Sequence, residues 1–504
     1  MKKRIFKNIT VTIVMVSLIV GASLGSAGLV LNMLSTNAAK EMYAYATGEA
    51  ATTDTATQID DATKEKDVKR SERAENVTSM PLIVGQSAVI IDAKTGTVLY
   101  DKNMHVQREP ASTTKIMTGI LALENLKMDD VITIDEETAK TGGSSIALDI
   151  DEQISVKELL YAMFLESAND SAAALAKAVG GTIKDFAIMM NDKAIEIGAE
   201  NTNFLNPHGL HEDGHMTTAY DLAMMAKYAM QNETFRKYVT THKHVIPPTN
   251  KKEERPIVTT NILLHDELTM VNVNGTRRAA KYEGITGIKT GSTPEAGGCL
   301  VASAERNGTE LIVVSLTSTY EDRFGDCIAL LDWGFENYHT VKTVSKGDVI
   351  GNIDVKKGAV ASVNLAAETD GYGTLGLDRG AEDLVKVLKV EQELQAPIKK
   401  GTHLGTVDYF YGDILVSSVN VVAAEDVKEG GMLSVFGITD KTAMKIYLVL
   451  GGIVAFFVAS FVGIIVIRRK NKKKAKKRRA ELAMKIAMER EMQRVYDNKK
   501  KYMR

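Results

Sequence analysis

Cysteine is nearly absent from this chain. Its 504 residues carry two, Cys299 and Cys327, too few for a disulfide framework. Both sit in apolar stretches and read as small buried residues. A protein outside the cell with a large core needs no disulfides, so the shortage leaves the compartment open. Proline is scarce as well, eight in all, and close to half of the residues are apolar, which is a globular composition. Net charge is also almost missing, at −2. That balance hides an uneven distribution. Residues 468 to 504 hold 17 Lys and Arg against 4 Asp and Glu, and the start MKKRIFK holds four more cations. The stretch between them is left with a charge of about −19. So acidic a body argues against a nucleic-acid partner.

Long uncharged runs occur only at the two ends. The first, from Ile9 to Leu34, follows the basic start and precedes the small-x-small triplet Ala44-Tyr45-Ala46. It reads as a signal peptide or an uncleaved signal anchor over residues 1–46. The second, residues 446–467, is long enough to span a bilayer and is followed at once by RRKNKKKAKKRR. Basic flanks stay in the cytoplasm, so both ends point inside and the bulk of the chain lies on the extracytoplasmic face. Residues 468–504 then form a basic cytoplasmic tail, suited to anionic lipid or simply solvated.

Between the ends the composition shifts twice. Residues 47–80 are polar, rich in Ala and Thr, and read as a flexible linker. SAVIIDAKTGTVLYDK reads as a hairpin turning at Ala93–Gly96. A series of amphipathic helices follows, including VKELLYAMFLESANDSAAALAKAVGG, KDFAIMMNDKAIEIGA and TAYDLAMMAKYAM. GGCLVASAERNGTELIVVSLTS is a second hairpin, turning at Arg306-Asn307-Gly308, and CIALLDWGFENY is a closing helix. Strands, then helices, then strands is an α+β order, with the outer strands expected in one antiparallel sheet. This region runs over residues 81–338. Residues 339–437 alternate apolar and polar with turns between, which predicts a small all-β domain.

Chemistry concentrates in PASTTKIMTGILALE. Ser112 and Lys115 stand three residues apart at the start of an expected helix, so they share a face. A serine hydroxyl is a weak nucleophile until a base takes its proton. Lysine serves as that base only if burial or a second cation lowers its pKa. Alone the pair is weak evidence. Ser-x-Asn also occurs at Ser35, Ser167, Ser362 and Ser418, and Lys-Thr-Gly at Lys94, Lys140 and Lys289. Order separates them. Only Ser167-Ala168-Asn169 lies between the Ser112 helix and a later Lys-Thr-Gly, and only Lys289-Thr290-Gly291 follows it.

Ser-x-x-Lys, Ser-x-Asn and Lys-Thr-Gly in that order resemble the penicillin-recognising serine acyltransferases. The closer resemblance is to the low-molecular-weight penicillin-binding proteins that are D-alanyl-D-alanine carboxypeptidases. It covers about residues 80–340 and the β-domain, and includes NPHGLHEDGHMTTAYDLAMMA and GITGIKTGSTPEAGGCLVASAERNG. The resemblance implies a β-lactamase/transpeptidase-like fold with an all-helical subdomain. It implies Ser112 as acyl-enzyme nucleophile, Lys115 as general base, Ser167 as proton relay and Asn169 as a substrate anchor. Lys289 would depress the Lys115 pKa and bind the substrate carboxylate with Thr290. Gly291 would let substrate backbone approach the strand, and the Ser112 and Ser292 N–H groups would form an oxyanion hole. The substrate would be a peptidoglycan pentapeptide ending in D-Ala-D-Ala, with β-lactams as covalent inhibitors. No cofactor and no metal is expected. Ala168 departs from the Gly more usual inside Ser-x-Asn.

Other readings stay in view. His208, His211 and His215 have spacings that could suit a metal, but Gly209 and Gly214 argue for a loop with a structural role. Arg323 could assist carboxylate binding or equally be a surface charge at a helix start, so it stands outside the expected site. A class A β-lactamase would need a Glu-x-x-Leu-Asn loop, which Glu200-Asn201-Thr202-Asn203-Phe204 does not match. A transpeptidase or endopeptidase would share the chemistry. A non-catalytic sensor of β-lactams or wall peptides, signalling through the basic tail, belongs to a different class.

Overall fold

The computed structural model describes residues 78–390, 393–501 and 503. Residues 1–46, and the expected linker up to residue 77, lie outside them. The centre is a five-stranded antiparallel sheet of β1 (Ser87–Asp92), β2 (Val98–Lys102), β3 (Ile285–Thr293), β4 (Gly297–Arg306) and β5 (Thr309–Ser318), in the order β2-β1-β5-β4-β3. The first hairpin therefore does join the last strands, Val89 opposite Val314 and Ile90 opposite Val313. The β4–β5 turn falls at Asn307 and Gly308, both with positive φ, as the Asn-Gly pair predicts.

β1 is buried along its whole length, because both faces of the sheet are covered. Val89, Ile91, Ile312 and Val314 point into one core; Ala88, Ile90, Leu311 and Val313 point into another. The period of two in a strand sends alternate residues to opposite faces. On the second face lies a helix, Asp322–Asn337, which adds Phe324, Ile328, Leu331 and Trp333. It starts five residues earlier than CIALLDWGFENY suggests. On the first face lies the helical part: α1 (Lys115–Asn125), α2 (Val156–Leu165), α3 (Asn169–Gly180), α4 (Ile183–Ile197), α5 (Ala219–Ala229) and α6 (Glu233–Thr240). Ser155, Thr182 and Thr218 cap α2, α4 and α5 by accepting from the N–H three residues on. Cys299 and Cys327 are free and buried, one in each core.

From Tyr338 the chain is β-rich. Tyr338–Val344 pairs with Gly371–Gly376, and six further strands form a second sheet over its own core, including Val363, Leu365, Val407 and Val421. Asp92, at the end of β1, ties this part to the first. It is fully buried, and its Oδ2 accepts from Thr340 Oγ1 at 2.6 Å and from Thr374 Oγ1 at 2.9 Å. The chain ends in one helix, Asp440–Lys501, that takes in both residues 446–467 and the basic tail without a break. Neither Gly nor Pro occurs between Ile464 and Lys501 to interrupt it. It is long and apolar enough to cross a membrane, and none of its apolar window is buried.

Candidate active site

Ser112 does not stand in an α-helix. It lies in a 3-10 turn, Ala111–Thr114, and α1 begins only at Lys115. The tighter turn serves the pairing better, since three residues per turn eclipse positions i and i+3. Lys115 Nζ accordingly lies 2.8 Å from Ser112 Oγ. Ala111, just before, holds φ at 46°, a left-handed conformation costly for a residue with a Cβ. Ser167 does the same at 59°, between α2 and α3. Strain of this kind collects where surrounding structure holds a functional group in place.

Lys115 is completely buried, and its Nζ has two more partners: Asn169 Oδ1 at 2.6 Å and the His208 carbonyl at 2.7 Å. Both are acceptors only. Burial first, and the charge of Lys289 second, hold the Lys115 pKa well below the ordinary lysine range, while Asp170 opposes them. A neutral amine has two protons and one lone pair. With the amine neutral, the two protons go to the two carbonyl oxygens and the lone pair faces the Ser112 hydroxyl; with the amine charged, a third proton donates to Ser112 Oγ. The surroundings thus orient neutral Lys115 as a proton acceptor toward Ser112.

Lys289 belongs to a second cluster. Its Nζ donates to Ser167 Oγ and to the Thr290 carbonyl, each at 2.9 Å. It is 1% exposed, and burial, helped by the charge of Arg323, pulls its pKa down to about 7. Its effect on Lys115 is through space, with its own hydrogen bonds committed elsewhere. Thr290 Oγ1 lies 2.6 Å from Thr260 Oγ1. Ser292 is exposed on the same strand, opposite Gly298.

β3 is the edge of the sheet, and it runs against the Ser112 turn. A Cβ at Gly291 would lie 2.9 Å from Ser112 N and 3.0 Å from Thr113 N. The nucleophile's own backbone is therefore one reason for glycine here, besides the room for substrate expected from sequence. Arg323 is 3% exposed rather than on the surface, and its Nη1 donates to the Gly291 carbonyl at 2.6 Å. It packs on the Tyr320 and Phe324 rings, and its buried Nε has no hydrogen-bond partner.

The three histidines of HGLHEDGH do not converge. His208 gives its carbonyl to Lys115, and burial with the Lys115 charge lowers its ring pKa to about 3. His215 is buried, with its pKa lowered to about 4. Its Nδ1 accepts from Leu205 N at 3.0 Å, so its Nε2 carries the proton and donates to Thr114 Oγ1 at 2.9 Å. Thr114 in turn donates to the Ala111 carbonyl at 2.8 Å. Gly209 presses on the same turn: a Cβ there would meet the Ala111 carbonyl. Opposite, Asn169 Nδ2 donates to the Gly142 carbonyl at 2.7 Å. The Lys140-Thr141-Gly142 segment, set aside in the sequence as a chance repeat, thus borders the site.

Known proteins share this architecture. Residues 74–319 match the family described as D-alanyl-D-alanine carboxypeptidase, and residues 338–429 match the penicillin-binding protein 5 C-terminal domain. D-alanyl-D-alanine carboxypeptidase DacF of Bacillus subtilis is 34% identical over 355 residues, covering 69% of this chain and 87% of that protein. DacA of Haemophilus influenzae is 31% identical over 362 residues, covering 70% and 87%. The crystal structure of penicillin-binding protein 5 from Haemophilus influenzae superposes with a TM-score of 0.60 at 30% identity, covering 70% of this chain and all of that one. With these relatives spanning the sheet, the helical part and the β-domain alike, the chain belongs to the D-alanyl-D-alanine carboxypeptidase family of serine peptidases.

Proposed function

We propose that this protein removes the terminal D-alanine from peptidoglycan pentapeptide stems through an acyl-enzyme on Ser112. The observation that carries the reading is the Lys115 amine: buried, lowered in pKa, committed to two carbonyl oxygens and 2.8 Å from the Ser112 hydroxyl. In the reaction Lys115 takes the Ser112 proton as Oγ attacks the carbonyl of the penultimate D-Ala. A tetrahedral oxyanion forms, and the N–H groups of Ser112 and Ser292 are the assigned donors to it. The C–N bond then breaks, and the departing amine gains a proton through Ser167 and Lys115. Water attacks the resulting ester by the reverse sequence and frees Ser112. Protonated Lys289, Thr290 and the buried Arg323 bind the C-terminal carboxylate, and Asn169 holds the peptide. β-Lactams acylate Ser112 by the same route.

In this reading residues 446–467 anchor the protein in the cell membrane. The basic tail is cytoplasmic and the acidic body meets wall peptides outside. The test is D-Ala release from a muramyl pentapeptide by the full chain in detergent, with Ser112→Ala as control. Release that vanishes in the control is expected. Stable penicillin labelling of Ser112 without any D-Ala release would instead identify a sensor.

A further inference from the structure

The three segments that build the Ser112 site meet a second time at the surface. Glu109 stands three residues before Ser112, His211 three after His208, and Glu295 three after Ser292. Each offers one ligand atom, and these atoms all lie within 4.8 Å of one another. His211 Nδ1 is 3.0 Å from Glu109 Oε1. With metal–nitrogen and metal–oxygen bonds of about 2.0–2.1 Å, two donors on a tetrahedral zinc stand about 3.3 Å apart. The Glu109–His211 pair is therefore already near that spacing. Glu295 is exposed on the turn between β3 and β4, free to close the remaining gap by side-chain rotation. His211 Nε2 lies 3.8 Å from Asp213 Oδ1, beyond hydrogen-bond reach.

We propose that Glu109, His211 and Glu295 form a divalent-cation site of the zinc type, with water completing the coordination. One imidazole nitrogen and two carboxylates suit zinc better than calcium or magnesium, which take oxygen ligands. Taking up the ion releases the proton that His211 Nδ1 shares with Glu109. The ion carries no step of the acyl transfer. It ties together the segment entering the Ser112 turn, the loop whose carbonyl holds Lys115, and the turn that follows the Lys289 strand. The site is separate from the proposed peptidase chemistry and stands or falls without it.

The test uses the full chain in detergent, stripped of metal and titrated with Co²⁺ near neutral pH. One equivalent should give the intense visible bands of a low-coordinate cobalt site, which Zn²⁺ then displaces. His211→Ala should abolish the bands. Glu295→Gln should weaken binding at least about tenfold, the lower end of what loss of an outer partner does. Zn²⁺ should raise the melting temperature of the wild type and leave that of His211→Ala unmoved. Penicillin labelling of Ser112 in each variant reports the fold independently. No saturable band in the wild type, or equal binding by His211→Ala or Glu295→Gln, overturns the site.

Discussion

Replacing Lys289 by Met should stabilise this protein while silencing it. The lysine is buried and releases its proton at about pH 7, against 10.5 for an ordinary lysine. Unfolding therefore takes up a proton between these values, so stability rises with pH across the window from 7 to 10.5. Below pH 7 both states are protonated and the destabilisation is fully present. At 1.36 kcal/mol per pKa unit, the lysine costs about 4 kcal/mol at pH 7 and about 2 kcal/mol near pH 9. Met keeps most of the volume and loses two hydrogen bonds, to Ser167 Oγ and the Thr290 carbonyl, of about 1 kcal/mol each. The variant should gain about 2 kcal/mol at pH 7 and about nothing near pH 9. For a unit of this size that is roughly 4–8 °C in melting temperature at the lower pH. Loss of the Lys289 charge also lets the Lys115 pKa rise, which widens the gap at low pH in the same direction. The assay is thermal unfolding of the full chain in detergent at both pH values, wild type against Lys289→Met, with penicillin labelling alongside. A stability difference that stays constant between the two pH values refutes the reasoning.

Three further outcomes follow from the geometry. Gly291→Ala places a Cβ 2.9 Å from Ser112 N, so strand and turn must part; β-lactam acylation should fall about 100-fold, the usual result of misplacing a catalytic group by about an ångström. Arg323→Gln removes a cation proposed to hold the substrate carboxylate equally before and during reaction. KM for D-Ala release should rise about tenfold with kcat nearly unchanged, and a pure kcat loss would contradict that role. Asp92→Ala strands the Thr340 hydroxyl at the junction with the β-domain and leaves Thr374 Oγ1 only its contact with Thr95 Oγ1 at 2.7 Å. It should cost about 3 kcal/mol in the unfolding midpoint, yet leave penicillin labelling at 25 °C within about twofold.

The sheet was legible because its strands are apolar and its turns carry Asn-Gly or Lys-Thr-Gly chemistry. Motif order also picked out residues that the structure places within hydrogen-bond reach of one another, Ser112 and Asn169 about Lys115, and Ser167 beside Lys289. What sequence could not show is mostly backbone. The carbonyls of His208 and Gly142, which orient Lys115 and Asn169, carry no residue signature. The 3-10 turn at Ala111–Thr114 looks in sequence like the first turn of α1, since both periods align Ser112 with Lys115. Arg323 reads in sequence equally as a carboxylate ligand or a surface charge, because its burial depends on Tyr320, Phe324 and the Gly291 carbonyl meeting around it. Two half-buried hairpins, Lys243–Ile246 with Arg255–Val258 and Met270–Val273 with Thr276–Ala279, have strands of four residues, too short for a periodic signal. The spacing of His208, His211 and His215 suggests a cluster, but the loop turns their rings to three different partners.

The central claim is that neutral Lys115 takes the proton from Ser112. The direct measurement is the β-lactam acylation rate of the full chain and of Lys115→Ala, with the labelled peptide identified by mass spectrometry. The account predicts a single adduct on Ser112, and a rate at least about 100-fold lower in Lys115→Ala with the fold retained, as loss of a general base entails. An adduct on another residue, or Lys115→Ala labelling at the wild-type rate, would contradict it.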